Sequence, residues 1–355
     1  MVTKVEIEDC VIRETGNSGI VIGNHLAKFY KIIVKNTQLI DSGKDRGITP
    51  ISFTYNRPSQ GMVGNTIFDN VQVKTIPGRR LIAFKNWTPN TWLGEVTGML
   101  IVDGKKVDVA QYIHEQGFDQ PTDYKSREID AAKLYPAAAK PVATRIILNL
   151  RQHVNILIWG EAGKELKFEL RGRDTKRRPR ELAVKLVKPD GSGEVLGTMT
   201  PGENKEFSFT PEKTGAYMLD LNIGLHMLYF KPLTPMHWAV KSAAGTDGYV
   251  SFFKPRGKGT PIYFAVPAGL KEFKVEVTGY PGETVSAEIK SPDGKSVEKR
   301  VDFDGPEVFT VKRDSDGAEV WSIVLTNAVE DVQMRLIEPL SPLFTTHAPN
   351  LLVEK

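Results

Sequence analysis

The chain has 355 residues, 40% of them hydrophobic and 25% charged, with a formal net charge of +4. That length suits two or three domains, and so mild an excess of base excludes neither neutral nor acidic ligands. One cysteine, Cys10, excludes an intramolecular disulfide framework and a cysteine-based zinc site, and no apolar run approaches the ~20 residues of a membrane-spanning helix. The opening Met1-Val2-Thr3-Lys4-Val5-Glu6 is too charged for a signal peptide. With 31 glycines, 22 prolines and no long run of helical period, the chain predicts an all-β fold.

The first third carries a repeat. "VEIEDCVI", "IIVKNTQL", "TIFDNVQV" and "MLIVDGKK" align on Asp9, Asn36, Asn70 and Asp103, at spacings of 27, 34 and 33 residues. Two residues before each polar position stands Ile7, Val34, Phe68 or Ile101. Between these segments lie second apolar runs, "GIVIGN" (19–24), "ITPISFTY" (48–55) and "LIAFKNW" (81–87). Short alternating strands with Asn or Asp at each bend, recurring at this length, predict a solenoid whose coils stack strand on strand.

This pattern resembles the right-handed parallel β-helix of pectate-lyase-like, carbohydrate-active proteins, over roughly residues 1–112. The resemblance implies a polysaccharide ligand. In such lyases a Lys or Arg serves as base; in such glycosidases paired Asp/Glu act as acid and base or nucleophile. The polygalacturonase-like set of Asn-x-Asp, Asp-Asp and Gly-His-Gly is missing here, so no catalytic residue is carried over. Residues 2–24 read as an interior coil rather than a cap, since an end coil exposes open strand edges. The expectation is that a missing N-terminal region or catalytic domain precedes residue 1 in the native protein.

The loops between coils hold the sugar-site candidates. "DSGKDRGITP" carries Lys44, Asp45 and Arg46, "TYNRPSQG" carries Tyr55 and Arg57, and "PGRR" carries Arg79 and Arg80. Carboxylates mixed with arginines suit acidic sugars, and Lys44, Asp45, Arg46 and Arg57 are the only catalytic candidates; ordinary polar turns explain them as well. "NWTPNTW" offers Trp87 and Trp92, whose indole faces pack on sugar rings, with Asn90 to bond hydroxyls. The competing reading is that the tryptophans seal the coil. Four coils at about 4.8 Å per strand give a face of about 20 Å, room for about four sugar units.

Residues 113–143, with three prolines and an Ala-rich patch, read as a linker with one short helix around Ser126–Leu134. A second repeat follows. "ILIWGEAGKELKFELRG" (156–172) aligns with "IYFAVPAGLKEFKVEVTG" (262–279), each then reaching a Pro-Asp-Gly turn at Pro189 or Pro292 and a Phe-bearing strand at Phe207 or Phe309. Short strands with turn signals every 8–12 residues predict two tandem related β-sandwich domains, 144–243 and 244–340, and a tail at 341–355.

The first copy carries an insertion, "RGRDTKRRPR" (171–180), with six basic residues and one acidic one. Lys176, Arg177, Arg178 and Arg180 are candidates for binding anions such as acidic polysaccharide. No aromatics interleave, which weighs against nucleic acid. The six histidines show no paired metal spacing, so no metal site is assigned and no cofactor is expected. "DFDG" (302–305) and "DSDG" (314–317) could lend oxygens to calcium, without a full binding loop.

The sequence therefore predicts a polysaccharide-binding or accessory region of a secreted carbohydrate-active enzyme acting on plant or algal polysaccharide, with no membrane partner. A polysaccharide lyase or glycoside hydrolase with its site on the β-helix is the second reading, and a structural or adhesive surface module the third.

Overall fold

The computed structural model describes residues 4–15, 18–22, 28–43, 49–54, 62–75, 81–85, 95–115, 126–142, 149–174, 181–243, 248–253, 259–279, 284–303 and 306–354. The chain divides into two compact units, Met1–Asp123 with Gly279–Thr284, and Tyr124–Thr278 with Val285–Lys355. Among the described residues the regular structure of both is almost wholly strand. Among the described residues no helix is long and apolar enough to cross a membrane.

The first unit contains β1 (Val5–Glu8), β2 (Val11–Arg13), β3 (Ile20–Ile22), β4 (Lys28–Lys35), β5 (Gln38–Ile40), β6 (Ile51–Thr54), β7 (Met62–Lys74), β8 (Ile82–Lys85), β9 (Val96–Val102), β10 (Lys105–Asp108) and α1 (Val109–Glu115). Its strands pair in parallel: β1, β4, β7 and β9 in one ladder, β2, β5 and the second half of β7 beside it, and β3, β6 and β8 in a separate sheet. Val5 lies opposite Ile32, Ile32 opposite Thr66, and Thr66 opposite Val96. Ile20, Ile51 and Ile82 line up likewise. The inward positions Ile32, Val34, Leu39, Ile51, Phe68, Val73 and Leu100 form one buried cluster. Burying each such side chain stabilises by about 1.5–3 kcal/mol, so stacking rather than any single coil holds the unit together.

Asp9, Asn36 and Asn70 all take the left-handed backbone at the first bend, with φ of 53°, 49° and 50°. Short polar side chains tolerate this conformation best. The bends are stitched together by Asn36 N donating to Asp69 O at 3.0 Å and Asn70 Nδ2 donating to Asn36 Oδ1 at 3.0 Å. Asp103 does not belong to this row, against the alignment made from sequence. Its backbone donates to Val73 O, as Asp41 donates to Lys74 O, which places it at the second bend. The fourth coil is shorter than the alignment assumed and shifts register between Phe68 and Val71. Gly98, at φ 108°, faces Phe68 there, and a Cβ on it would lie 1.9 Å from Phe68 O, so only glycine fits.

The two ends of this stack differ. At one, β10 folds back antiparallel on β9, and α1 buries Val109 and Ile113 in the cluster. Asp108 caps that helix by accepting from Gln111 N at 2.9 Å, and Tyr112 OH accepts from Leu81 N at 3.1 Å. At the other end β1, β2 and β3 are edge strands, and Val5, Ile7 and Ile12 are only half-buried.

The second unit contains β11 (Leu134–Pro136), β12 (Leu150–Gly160), β13 (Leu166–Arg173), β14 (Leu182–Val187), β15 (Gly193–Met199), β16 (Asn204–Phe209), β17 (Gly215–Pro232), β18 (Trp238–Ser242), β19 (Val250–Phe253), β20 (Pro261–Val266), β21 (Glu272–Gly279), β22 (Val285–Lys290), β23 (Ser296–Phe303), β24 (Pro306–Lys312), β25 (Glu319–Thr326), β26 (Asp331–Leu336), β27 (Phe344–Thr345) and β28 (Leu352–Glu354). Six strands recur as β12–β17 and β20–β25. In both sets the first pairs with the sixth, the second with the fifth, and the third with the fourth and sixth, all antiparallel. The Pro-Asp-Gly turns close the same hairpin in both copies. Lys188 N donates to Ser192 O at 2.7 Å in one, and Ser291 N to Lys295 O at 3.0 Å in the other.

The copies are joined rather than separate. β18 pairs with β12 and with β27, β27 pairs with β20, and one buried core takes residues from both sets. Residues 341–354 are part of this unit: β28 pairs with β11, and the fully buried Asn350 donates to Val142 O and Met236 O while accepting from Val142 N. Within the stretch read as a linker helix, Ser126–Leu134, the structure has a single 3-10 turn, Ala131–Lys133, capped by Asp130.

Candidate functional site

The second unit presents a cavity of about 560 Å3 in its first repeat, within the range of ordinary ligand pockets. The register explains how it arises. Leu186, Leu219 and Ile156 sit side by side and face the core, so the adjacent row points to the opposite face of the sheet. That row is Lys185, Asp220, Asn155 and Lys241, one residue from each of β14, β17, β12 and β18. Further along this face Leu157, Ala216 and Ala239 are covered by Leu134, Leu343 and Leu352. The polar row lies beyond that cover.

The cavity takes Lys185 and Asp220 from the row and adds His153, Asn222 and Ala183 from the next positions of the same strands. β12 shifts register on both sides of Gln152, and β17, which keeps β12 on one side as far as Leu228, exchanges β14 for β13 on its other side around Gly224. Around that exchange the cavity runs into the open end between strands, where the buried Leu182, Met199, Ile223, Met227 and Leu228 line it. Its rim is exposed at Glu181, Lys185, Thr200 and Asn222.

His153 Nε2 and Asp220 Oδ1 are hydrogen-bonded, and both side chains are about one-third exposed or less. His226 lines the inner part of the cavity, with Nδ1 3.5 Å from Asp174 Oδ1. Glu181 accepts from Thr198 Oγ1. Asn155, 6% exposed, leaves its Oδ1 without a hydrogen-bond partner among the described residues. The lining thus pairs imidazoles and carboxylates on one side with an apolar wall on the other. Such a site can hold a hydroxyl-rich ligand by hydrogen bonds while an apolar portion is buried.

The second repeat does not build this site. Glu288, Val324 and Pro261 occupy the register of Lys185, Asp220 and Asn155. Two residues before Pro261, in the place of His153, stands Gly259. A Cβ there would lie 2.5 Å from Leu325 O, so the backbone leaves no room for a side chain. The same strand pairings therefore stand without the polar row, and the framework does not require it.

The residues singled out from sequence for sugar, catalysis or anions all lie outside the described residues: Lys44, Asp45, Arg46, Tyr55, Arg57, Arg79, Arg80, Trp87, Asn90, Trp92, Lys176, Arg177, Arg178 and Arg180. Their neighbours in sequence are placed. Ile51–Thr54 ends one residue before Tyr55, and Gly172, within the basic stretch 171–180, and Glu181, directly after it, both line the cavity. Of the two Asp-rich turns, Asp304 and Gly305 lie outside the described residues; among the described residues no three potential ligands converge, and Asp302 accepts from Ser286 Oγ at 3.1 Å. His153, Lys185, Asp220, Asn222 and His226 were not chosen from sequence. Comparing the two repeats position by position would have found Asp220 against Val324.

No protein-family model matches the chain, and no curated protein matches it. Three solved structures show a partial likeness. One is the M60 catalytic domain with the CBM51-1 and CBM51-2 domains from Clostridium perfringens ZmpB, 10% identical, covering 61% of this chain and 39% of that one, with a TM-score of 0.19. Another is the N-terminal CBM22-1-CBM22-2 tandem domain from Paenibacillus barcinonensis Xyn10C, 8% identical, covering 53% and 72%, with a TM-score of 0.15. The third is the enzymatically active domain of Bacteriophage CBA120 tailspike protein 4, 7% identical, covering 95% and 44%, with a TM-score of 0.15. This chain spans less than half the length of the first and third. Likeness at these scores carries no argument about fold or function.

Proposed function

We propose that this chain is a polysaccharide-binding, accessory region of an extracellular carbohydrate-active protein. On this reading the first unit is a short right-handed parallel β-helix and the second is two related β-sandwiches, the first of which holds a sugar site. The in-register parallel ladders, with bends at Asp9, Asn36 and Asn70, support the β-helix. The observation that carries the functional reading is the cavity. It joins His153, Asp220, Lys185 and Asn222 to an apolar wall in one repeat, while the other repeat keeps the framework and dispenses with those groups.

The loop residues Tyr55, Arg57, Arg79, Arg80, Trp87, Asn90 and Trp92 are proposed as a second sugar-binding surface on the coils. Lys176, Arg177, Arg178 and Arg180 are proposed to favour acidic chains. The test is migration of the purified protein through gels containing neutral or acidic polysaccharides, with and without calcium. Retardation by at least one polymer, weakened by Asp220→Ala and by His153→Ala, is the expected result. Unretarded migration through the whole panel would overturn the reading.

One observation favours an enzyme as the second reading. The hydrogen bond between His153 and Asp220 is the arrangement that orients an imidazole as a general base. New reducing ends or unsaturated uronates appearing in the same incubations, and lost in His153→Ala, would establish it.

A further inference from the structure

The cavity also points to the kind of sugar and to the part of the chain it takes, an inference that rests on the binding reading above. Apart from the buried His226, the polar side chains are near the mouth. Glu181, Lys185, Thr200 and Asn222 are exposed, and His153 and Asp220 are partly so. The inner lining, His226 apart, is apolar and backed by the core: Met199 is 2% exposed, Met227 3% and Leu228 1%. A sugar in the middle of a polymer needs an exit on both sides, which a space ending on core side chains does not offer. A terminal residue needs one opening only. Hydroxyls pushed against Met199, Met227 and Leu228 would lose their hydrogen bonds to water and find none in return. A methyl group in that place loses nothing.

We propose that the cavity takes the terminal residue of a glycan chain, and that this residue carries a methyl group which packs against Met199, Met227 and Leu228. Its ring hydroxyls then bond the His153–Asp220 pair, Asn222 and Lys185. A 6-deoxyhexose and an N-acetylated hexosamine both supply such a methyl group. The second repeat, with Val324 and Gly259 at the corresponding positions, takes neither.

The test is calorimetric titration of the full chain with matched sugars: L-fucose against L-galactose, L-rhamnose against L-mannose, and N-acetylglucosamine against glucose. One polysaccharide that retards the protein is then titrated at two chain lengths and equal mass. Burying one methyl group is worth about fourfold in affinity, so at least one pair should differ by about that factor or more. Met199→Thr should erase the difference. Should that variant fold poorly, Ala183→Trp fills the mouth from a partly exposed position and should abolish binding of the sugar. The shorter polymer, with more ends per gram, should bind more protein. Equal affinities within every pair, or polymer binding that ignores chain length and survives Ala183→Trp, would overturn this inference and leave the binding reading standing. Failure of every sugar and every polymer to bind would overturn both.

Discussion

The two repeats of the second unit share their strand pairings and differ in what they turn outward. In the first, the row beside the core reads Lys185, Asp220, Asn155; in the second it reads Glu288, Val324, Pro261. The inward row is the same in kind, Leu186, Leu219, Ile156 against Ile289, Ile323, Ile262. Core-facing positions are held by burial, so apolar residues recur there whatever the protein does. Outward positions are free to differ, and the ones that gather polar groups over a cavity are where function is read.

The comparison also runs the other way. At matched positions of the second strand of each repeat stand Glu169 and Glu276. Glu276 is buried, bonded to Arg335 Nε at 2.9 Å and accepting from Tyr249 OH at 2.7 Å. Glu169 instead pairs with Arg171, whose side chain is half exposed. Removing one partner of a buried pair strands the other charge, so Arg335→Ala should cost about 3–5 kcal/mol in urea denaturation. Arg171→Ala should cost less than about 1 kcal/mol. Equal effects would break the contrast.

Next in size is the cover over the first repeat. Asn350→Ala leaves the Val142 amide and carbonyl and the Met236 carbonyl unpaired; Val142 is exposed and its groups can turn to water, whereas the buried Met236 orphan costs about 1–3 kcal/mol. Unfolding should shift by about 1–3 kcal/mol, with hydrogen exchange rising first in Leu352–Glu354 and Leu134–Pro136. A smaller effect comes from pH. Burial holds the His237 and His347 imidazoles below their usual pKa, and both lie beside or within the C-terminal segment. The unfolded chain binds the extra protons, so this stability is fully present above the unfolded pKa of about 6.5 and is lost as pH falls below it. Thermal scans from pH 7.5 to 5 should show it, and replacing both histidines by Gln should flatten the slope. The least effect is in the matched Pro-Asp-Gly turns. Hydrogen bonds from Lys295 and Ser291 hold Asp293 at about 2, and those from Ser192 lower Asp190. In NMR titrations, Lys295→Ala should raise the first and leave the second unmoved.

The all-β character and the bends of the first three coils were legible in the sequence, and the cavity was not. Asp9, Asn36 and Asn70 marked the bends because a left-handed backbone selects short polar residues, and the runs at 19–24, 48–55 and 81–87 became β3, β6 and β8 because buried faces keep their periodicity. The fourth coil misled because Asp103 looks like the other three while standing at a different bend. His153, Asp220 and Lys185 are far apart in sequence and meet only through strand register, which no local spacing reveals. The insertion at 171–180 was the one local sign of this site, since Gly172 within it and Glu181 directly after it line the cavity.

On the proposed reading the first repeat, through its cavity, binds carbohydrate and the second does not. Hydrogen exchange of the full chain, measured with and without a saturating polysaccharide, tests it most directly. Exchange should slow in Leu150–Gly160, Leu182–Val187 and the Asp220–Leu228 stretch of β17, with no change in Pro261–Val266, Val285–Lys290 or Glu319–Thr326. Protection confined to the second repeat, or spread equally over both, would contradict it.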